Sequence, residues 1–347
     1  MADRAGLQAS DEPLTARYDT ALLDLDGVVY LQEEPIPFAA DGVAAARAAG
    51  MRIGFVTNNA SRRPAAIASL LAGLGVPAAV DEVVTSAQAA ATLLAERLPA
   101  GAPVLVVGSA ALAEEIAEVG LAPVHTAVEA PLAVVQGYGP EVGWALLAEA
   151  CVAVRAGALW VATNGDTTFP SVRGPLPGNG AMVAALATAL GRPPDEIVGK
   201  PHPRLHEESV RRTGARRPLV VGDRLDTDIA GAHAGGSDSL LVLTGVATAA
   251  AVLAAPPDAR PTYLAEDLRG LVTPHPAVPI QPGTGTRCGG WSATTEQGAL
   301  VLAGAGNRID ALRALAVAAW SGGSLGEPPK VRPDGPAAAV VLTALGL

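Results

Sequence analysis

The sequence predicts an α/β protein: a parallel-sheet core, a second α/β domain inserted into it, and a small C-terminal α+β appendage. Short apolar runs alternate with longer Ala-rich amphipathic ones, the pattern of parallel strands joined by crossover helices. The 347 residues exceed one ordinary domain. Half of them are hydrophobic but only 3% aromatic, so Ala, Val and Leu must fill the core through many small contacts.

In chain order, residues 18–25 read as the first strand, broken by Asp24 and ending at Asp26-Gly27. Residues 39–49 read as a helix closed by Gly50, and 51–56 as the next strand, ending in Thr57-Asn58-Asn59. Pro64 suits the first turn of a helix that stops at 73–75, and 83–84 form a short third strand. From about residue 88 the alternation starts afresh, with strands at 104–107, 132–136 and 159–163 and helices near 109–119 and 141–156. The loop 164–180 carries NGDTTFP and PLPGNG, too long for a plain connection. A helix at 181–190, the run 198–200 and a helix at 203–214 follow. Next come a strand at 219–221 ending in Gly222-Asp223, a helix near 226–234, a strand at 240–243 and an edge strand at Tyr263 and Leu264.

The expected organisation is a loose N-terminal arm (1–17), a first core segment (18–87), the inserted domain (88–188), a second core segment (189–273), a Pro-rich linker (274–287) and a small C-terminal domain (288–347). That last stretch reads as a hairpin, a helix and a final apolar strand or helix, too few residues for an autonomous core.

A net charge of -10 excludes the diffuse basic surface of a nucleic-acid binder, so any phosphate must be held locally. Cys151 and Cys288 form no CxxC pair, which fits a reducing compartment and a cytoplasmic protein. Asp3, Arg4, Asp11 and Glu12 interrupt any signal-peptide pattern. The uncharged stretch 239–257 divides at Thr244-Gly245 into a strand-like run and an Ala-rich helix, which argues against a membrane span.

The chemistry concentrates at strand ends. Asp24-Leu25-Asp26-Gly27, Thr57-Asn58-Asn59 and Gly222-Asp223 with Thr227-Asp228 each close a strand at its carboxyl side, where open parallel sheets bind ligands, and are expected to converge on one crevice. Asp24 and Asp26, at i and i+2 on an extended segment, project to one face. With Asp223 they supply part of an octahedral shell for a hard cation such as Mg²⁺ and leave a position for a phosphoryl oxygen. A plain Asx turn is the alternative for that tetrapeptide. Lys200, between Gly199 and Pro201, would offset the carboxylates' repulsion of a phosphate dianion. Thr57 and the amides of Asn58 and Asn59 would donate to the phosphoryl oxygens, a helix cap being the alternative for Thr57.

DLDGVVY at 24–30, VTNNASR at 56–62, GKPHP at 199–203 and GDRLDTD at 222–228 resemble the four motifs of the haloacid dehalogenase-like phosphatases, whose core is a Rossmann-like parallel sheet. The insertion with TNGD and PLPGNG resembles the α/β (type IIA) cap of the subgroup that includes 4-nitrophenylphosphatase, phosphoglycolate, pyridoxal phosphate and glycerol-3-phosphate phosphatases. The resemblance covers about residues 18–270 and implies Asp24 as nucleophile and Asp26 as acid and base. It further implies Mg²⁺ on Asp24, the Asp26 carbonyl and Asp223, with Asp228 behind them orienting Lys200 or a metal water. Asn164, Asp166, Pro177, Gly178 and Asn179 are the cap's candidate contacts with the leaving group. His202 and His206, four apart on a helix, are read as structural. The tail resembles part of an acetyltransferase-like fold, as appended to some actinobacterial glycerol-3-phosphate phosphatases.

The function expected is therefore a Mg²⁺-dependent phosphomonoesterase of a small metabolite, glycerol 3-phosphate first, with phosphoglycolate or pyridoxal phosphate as alternatives. A phosphomutase, lacking a second basic cluster, and a non-catalytic phosphometabolite-binding regulator are the competing readings. Neither nucleic acid nor membrane is an expected partner; a homo-oligomer through the cap or the C-terminal domain is left open.

Overall fold

The computed structural model describes residues 6–32, 34–171, 173–281, 285–322 and 327–347. The chain divides into two compact units, 1–53 with 215–347, and 54–214.

In the first unit, strands Thr20–Leu23, Pro218–Gly222, Asp238–Val242 and Tyr263–Ala265 pair in parallel in that order. Nearly every residue in them is buried, because helices cover both faces of a parallel sheet; this is why they read as unbroken apolar runs. The tail folds onto this sheet. Strands Ile280–Gln281, Gly285–Cys288, Trp291–Glu296 and Ala299–Gly304 form an antiparallel meander, and Val331–Asp334 adds parallel to the last. Gln297 and Gly298, both at positive φ (50° and 78°), make the two-residue turn that the hairpin's twist requires.

Helix Arg308–Ser321 is buried almost all round, so its sequence shows no polar stripe. One apolar cluster joins its Leu312, Leu315 and Trp320 to Ile229, Leu241, Val252, Leu253 and Leu264 of the core. The tail thus completes the core of this unit.

Two segments are more ordered than their composition suggests. Ser10 and His275 exchange backbone hydrogen bonds of 2.8 Å, Leu14 is fully buried, and Gln8 N donates to Thr262 O. The arm is therefore tied down from residue 8 onward. The stretch read as a linker, 274–287, holds Ile280–Gln281 and most of Gly285–Cys288 as strands, with Val278 against the apolar cluster. Proline density signalled a break in helix and strand period, and the bonds come from a segment 265 residues earlier, which no local pattern shows.

A polar network threads this interior. The Arg313 guanidinium bonds Asp310 Oδ1 at 2.7 Å and, through Nε, Leu264 O at 3.1 Å, while its Nη2 lies 3.4 Å from His275 Nδ1. His275 Nε2 donates to Gly270 O at 2.8 Å, and the imidazole packs on Tyr263. Cys288 donates to Asp310, and burial, aided by that carboxylate, pushes its thiol up to about 12. Burial, with the Arg313 charge adding to it, lowers His275 to about 4.

The unfolded chain takes up this proton first as pH falls through about 6.5, so His275 contributes stability that is whole above that value and is lost toward pH 4. Denaturant unfolding of the parent should therefore steepen with acid by about one proton relative to His275→Gln. Parallel pH curves for the two proteins would refute this account.

The second unit holds a parallel sheet in the order Glu196–Ile197, Leu159–Ala162, Ala133–Gln136, Pro103–Val107, Ala122–Val124. Helices Ala110–Glu118, Trp144–Arg155 and Asn179–Leu190 belong to it. Strand Val83–Thr85 pairs in parallel with 55–57. Helix Ser86–Arg97, which the alternation did not reveal, is apolar or buried on most of its circumference, so no period of 3.6 stands out. Within the loop 164–180, Thr168–Phe169 and Leu176–Pro177 pair antiparallel.

Candidate active site

Each unit carries one set of polar side chains. In the first, Asp24 and Asp223 leave the ends of two paired strands: Asp24 N donates to Val221 O at 2.8 Å, one residue beyond the ladder Leu23↔Val221. Asp228 comes from the short helical segment Leu225–Ile229 that follows. One carboxylate oxygen of each lies within 4.8 Å of the others, and Asp223 and Asp228 are 0% and 1% exposed.

The backbone around these carboxylates is built to hold them. Asp223 Oδ2 accepts Val246 N at 2.6 Å, the Asp223 carbonyl accepts Ala247 N at 2.9 Å, and Asp228 Oδ2 accepts Arg224 N at 3.1 Å. Thr244 donates to Gly27 O at 2.6 Å. A Cβ on Gly27 or Gly245 would lie 2.4 or 2.0 Å from Asp223 Oδ2, so both positions admit hydrogen alone; Gly27 also sits at φ +82°. Three carboxylates this close, two of them out of water, repel one another unless a cation neutralises them. An all-oxygen, triply anionic donor set fits a hard divalent ion.

Two details depart from the sequence reading. The extended backbone ends at Leu23, and the amides of Val28, Val29 and Tyr30 all turn back onto Leu25 O. The alternation that would put Asp24 and Asp26 on one face stops before Asp26, which is exposed while Asp24 is half-buried. Asp228, expected behind the others, brings its carboxylate into the cluster.

In the second unit, Asn58 and Lys200 lock to each other: Lys200 N donates to Asn58 Oδ1 at 2.8 Å and Asn58 Nδ2 to Lys200 O at 3.2 Å. Asn58 Nδ2 also donates to Asp166 Oδ2 at 3.0 Å, and the Asn58 backbone carbonyl accepts Ser86 Oγ and Asn164 Nδ2. Lys200 Nζ lies 3.4 Å from Val56 O. Thr57, 3% exposed, accepts Asn59 N at 3.1 Å on its hydroxyl oxygen, so the hydroxyl proton is what it can offer an anion. That bond uses the Asn59 amide that the sequence reading gave to phosphate. Asn59 Oδ1 takes the amides of Ser61 and Arg62. The next helix starts at Pro64, which leaves Thr57 capping none.

The five cap candidates share one bonded loop. Asn179 Nδ2 donates to Asn164 O at 2.8 Å and to Gln136 O, Asn164 Oδ1 takes Asp166 N, and Gly178 N donates to Thr167 O. Asn164 and Asn179 are 4% and 2% exposed, so they hold the loop, while Pro177 is exposed and Asp166 half-buried. His206 is buried, and burial lowers its pKa. The residues that motif spacing missed, Ser86, Thr244 and Val246, act through one hydroxyl or one amide each; the Thr244-Gly245 break was visible, but its use as a close approach to a carboxylate was not.

A carboxylate cluster at the carboxyl ends of parallel strands suits phosphoryl chemistry assisted by a hard cation, and the chain belongs to the haloacid dehalogenase-like hydrolases. A haloacid dehalogenase-like hydrolase model matches residues 21–122 and a HAD-hydrolase-like one 197–271, while a GCN5-related N-acetyltransferase like domain matches 288–347. The D-glycerol 3-phosphate phosphatase of Mycobacterium tuberculosis is 48% identical over 316 residues, 88% of this chain and 87% of that protein. The crystal structure of the M. tuberculosis glycerol phosphate phosphatase in complex with magnesium superposes with a TM-score of 0.87 at 45% identity, covering 96% of this chain and 99% of that one. The p-nitrophenyl phosphatase of Archaeoglobus fulgidus gives 0.69 at 32% identity, covering 74% and 98%. Among the described residues no helix is long and apolar enough to cross a membrane.

Proposed function

We propose that this chain is a cytoplasmic phosphomonoesterase that hydrolyses glycerol 3-phosphate through an aspartyl phosphate on Asp24. The close-set carboxylates of Asp24, Asp223 and Asp228 carry the reaction class, and the likeness to the M. tuberculosis enzyme carries the substrate. A carboxylate oxygen of Asp24 attacks phosphorus as the bond to the glycerol oxygen breaks. Asp26, exposed where the chain turns, gives its proton to the departing alkoxide. Water then attacks the aspartyl phosphate, Asp26 takes the proton it sheds, and Asp24 leaves as carboxylate with inorganic phosphate as product. Lys200 and the Thr57 hydroxyl donate to the phosphoryl oxygens, and Asn58 keeps Lys200 in register. Mg²⁺ held by Asp24, Asp223 and the Asp26 carbonyl, with Asp228 beside them, supplies the positive charge that lets one anion approach another. The loop of Asn164, Asp166, Pro177, Gly178 and Asn179 meets the leaving group, Asp166 offering a carboxylate to its hydroxyls.

The test is phosphate release from glycerol 3-phosphate, 2-phosphoglycolate and pyridoxal phosphate, with Mg²⁺ and with EDTA. Glycerol 3-phosphate should show the highest kcat/KM, and chelation should stop release from all three. A protein that frees phosphate from none of them in Mg²⁺ is not this enzyme; a higher kcat/KM on either other ester moves the substrate and leaves the chemistry.

A further inference from the structure

The loop 244–248, whose Val246 amide bonds the Asp223 carboxylate, runs directly into helix Ala249–Leu253, capped by the Thr248 hydroxyl on Ala251 N. That helix has little hold of its own at five residues. Its Ala249, Val252 and Leu253 are 5%, 0% and 0% exposed because they lie in the apolar cluster built mainly by the C-terminal domain. Trp320, near the end of helix Arg308–Ser321 and 4% exposed, donates its indole N–H to Val252 O at 2.9 Å. Leu225, Leu243 and Ala247, which flank Asp223 and its loop in sequence, pack against the same cluster, and Ile229 belongs to it.

We infer that the C-terminal domain is a positioning element of the cation site: Trp320 anchors helix Ala249–Leu253 and so sets the loop whose Val246 amide orients Asp223. The inference rests on reading Asp24 and Asp223 as cation ligands. It gives the acetyltransferase-like segment a task in this chain that needs no acetyl donor. Trp320→Phe keeps an aromatic ring on the side of the Arg260 guanidinium, which lies 5.5 Å from the Trp320 ring, and removes the donor together with part of the indole's buried bulk, a packing loss that the second variant below controls for.

Calorimetric titration of the purified protein with Mg²⁺ tests this directly. Trp320→Phe should weaken Mg²⁺ binding roughly three- to tenfold, the Mg²⁺ needed for half-activation should rise in parallel, and kcat at saturating Mg²⁺ should stay within about twofold. Val341→Ala, on helix Pro336–Leu345, removes apolar packing from the same domain without touching the Trp320 bond, so it should lower Tm and keep parental Mg²⁺ affinity. Parental affinity in Trp320→Phe, or equal weakening by Val341→Ala, would overturn the positioning role. Were Asp223→Asn to lose Mg²⁺ while Trp320→Phe keeps it, the positioning role would fall and the carboxylate reading would stand; a parent that binds no Mg²⁺ would sink both.

Discussion

Asp24→Asn is expected to slow phosphate release from glycerol 3-phosphate by at least about a thousandfold, with little change in Tm. The amide is nearly isosteric with the carboxylate, so the backbone bond from Asp24 N to Val221 O should survive. What disappears is the nucleophile and one of the three charges set within 4.8 Å. Release at the parental rate would mean that phosphorus is attacked by water or another side chain, and the aspartyl phosphate would have to be abandoned. Asp26→Asn provides the internal comparison. Its loss should be large on glycerol 3-phosphate, whose alkoxide needs a proton, and much smaller on 4-nitrophenyl phosphate, whose phenolate leaves unaided. An equal loss on both esters would assign Asp26 to the fold or the cation, not to proton transfer.

Ending the chain near residue 276 is the second large effect. Ile229, Leu241, Val252, Leu253 and Leu264 are each at most 1% exposed and share their cluster with the tail. Uncovering even a fraction of each removes on the order of 5 kcal/mol, the size of an ordinary domain's whole stability. The cut also leaves His275 without Arg313, and the Leu264 and Val252 carbonyls without their side-chain donors. We expect the shortened protein to lose its cooperative unfolding transition or to aggregate. The A. fulgidus phosphatase, which matches only 74% of this chain over 98% of its own, makes this a sharp test, because its scaffold manages without about a quarter of the present chain. An unchanged unfolding midpoint would show that the tail merely rests on the core.

Strand ends were legible in the sequence, since an apolar run that stops at Asp24-Leu25-Asp26-Gly27 or at Gly222-Asp223 marks both a β element and its polar terminus. The first and fourth motifs therefore pointed to the carboxylates of Asp24 and Asp223, which the fold brings together. Legibility failed where partners are distant or local patterning is silent. Period-two reasoning assumed that strand geometry continues through Asp26, whereas the chain folds back on Leu25 O. The bond between the Asn58 side chain and Lys200, 142 residues on, is equally invisible to motif spacing. Helix Ser86–Arg97 is buried on most sides, so the polar stripe that betrays an ordinary helix is missing from it.

The hydrogen-only space at Gly27 and Gly245 acts as a filter on sequence drift. A methyl at position 245 would stand 2.0 Å from Asp223 Oδ2 and force the carboxylate to tilt away from Val246. A related chain that keeps both aspartates of the first motif but carries a side chain at 245 would thus retain the signature of turnover without the means. Two positions that bear no functional group are in this sense as diagnostic of a working copy as the charged residues beside them.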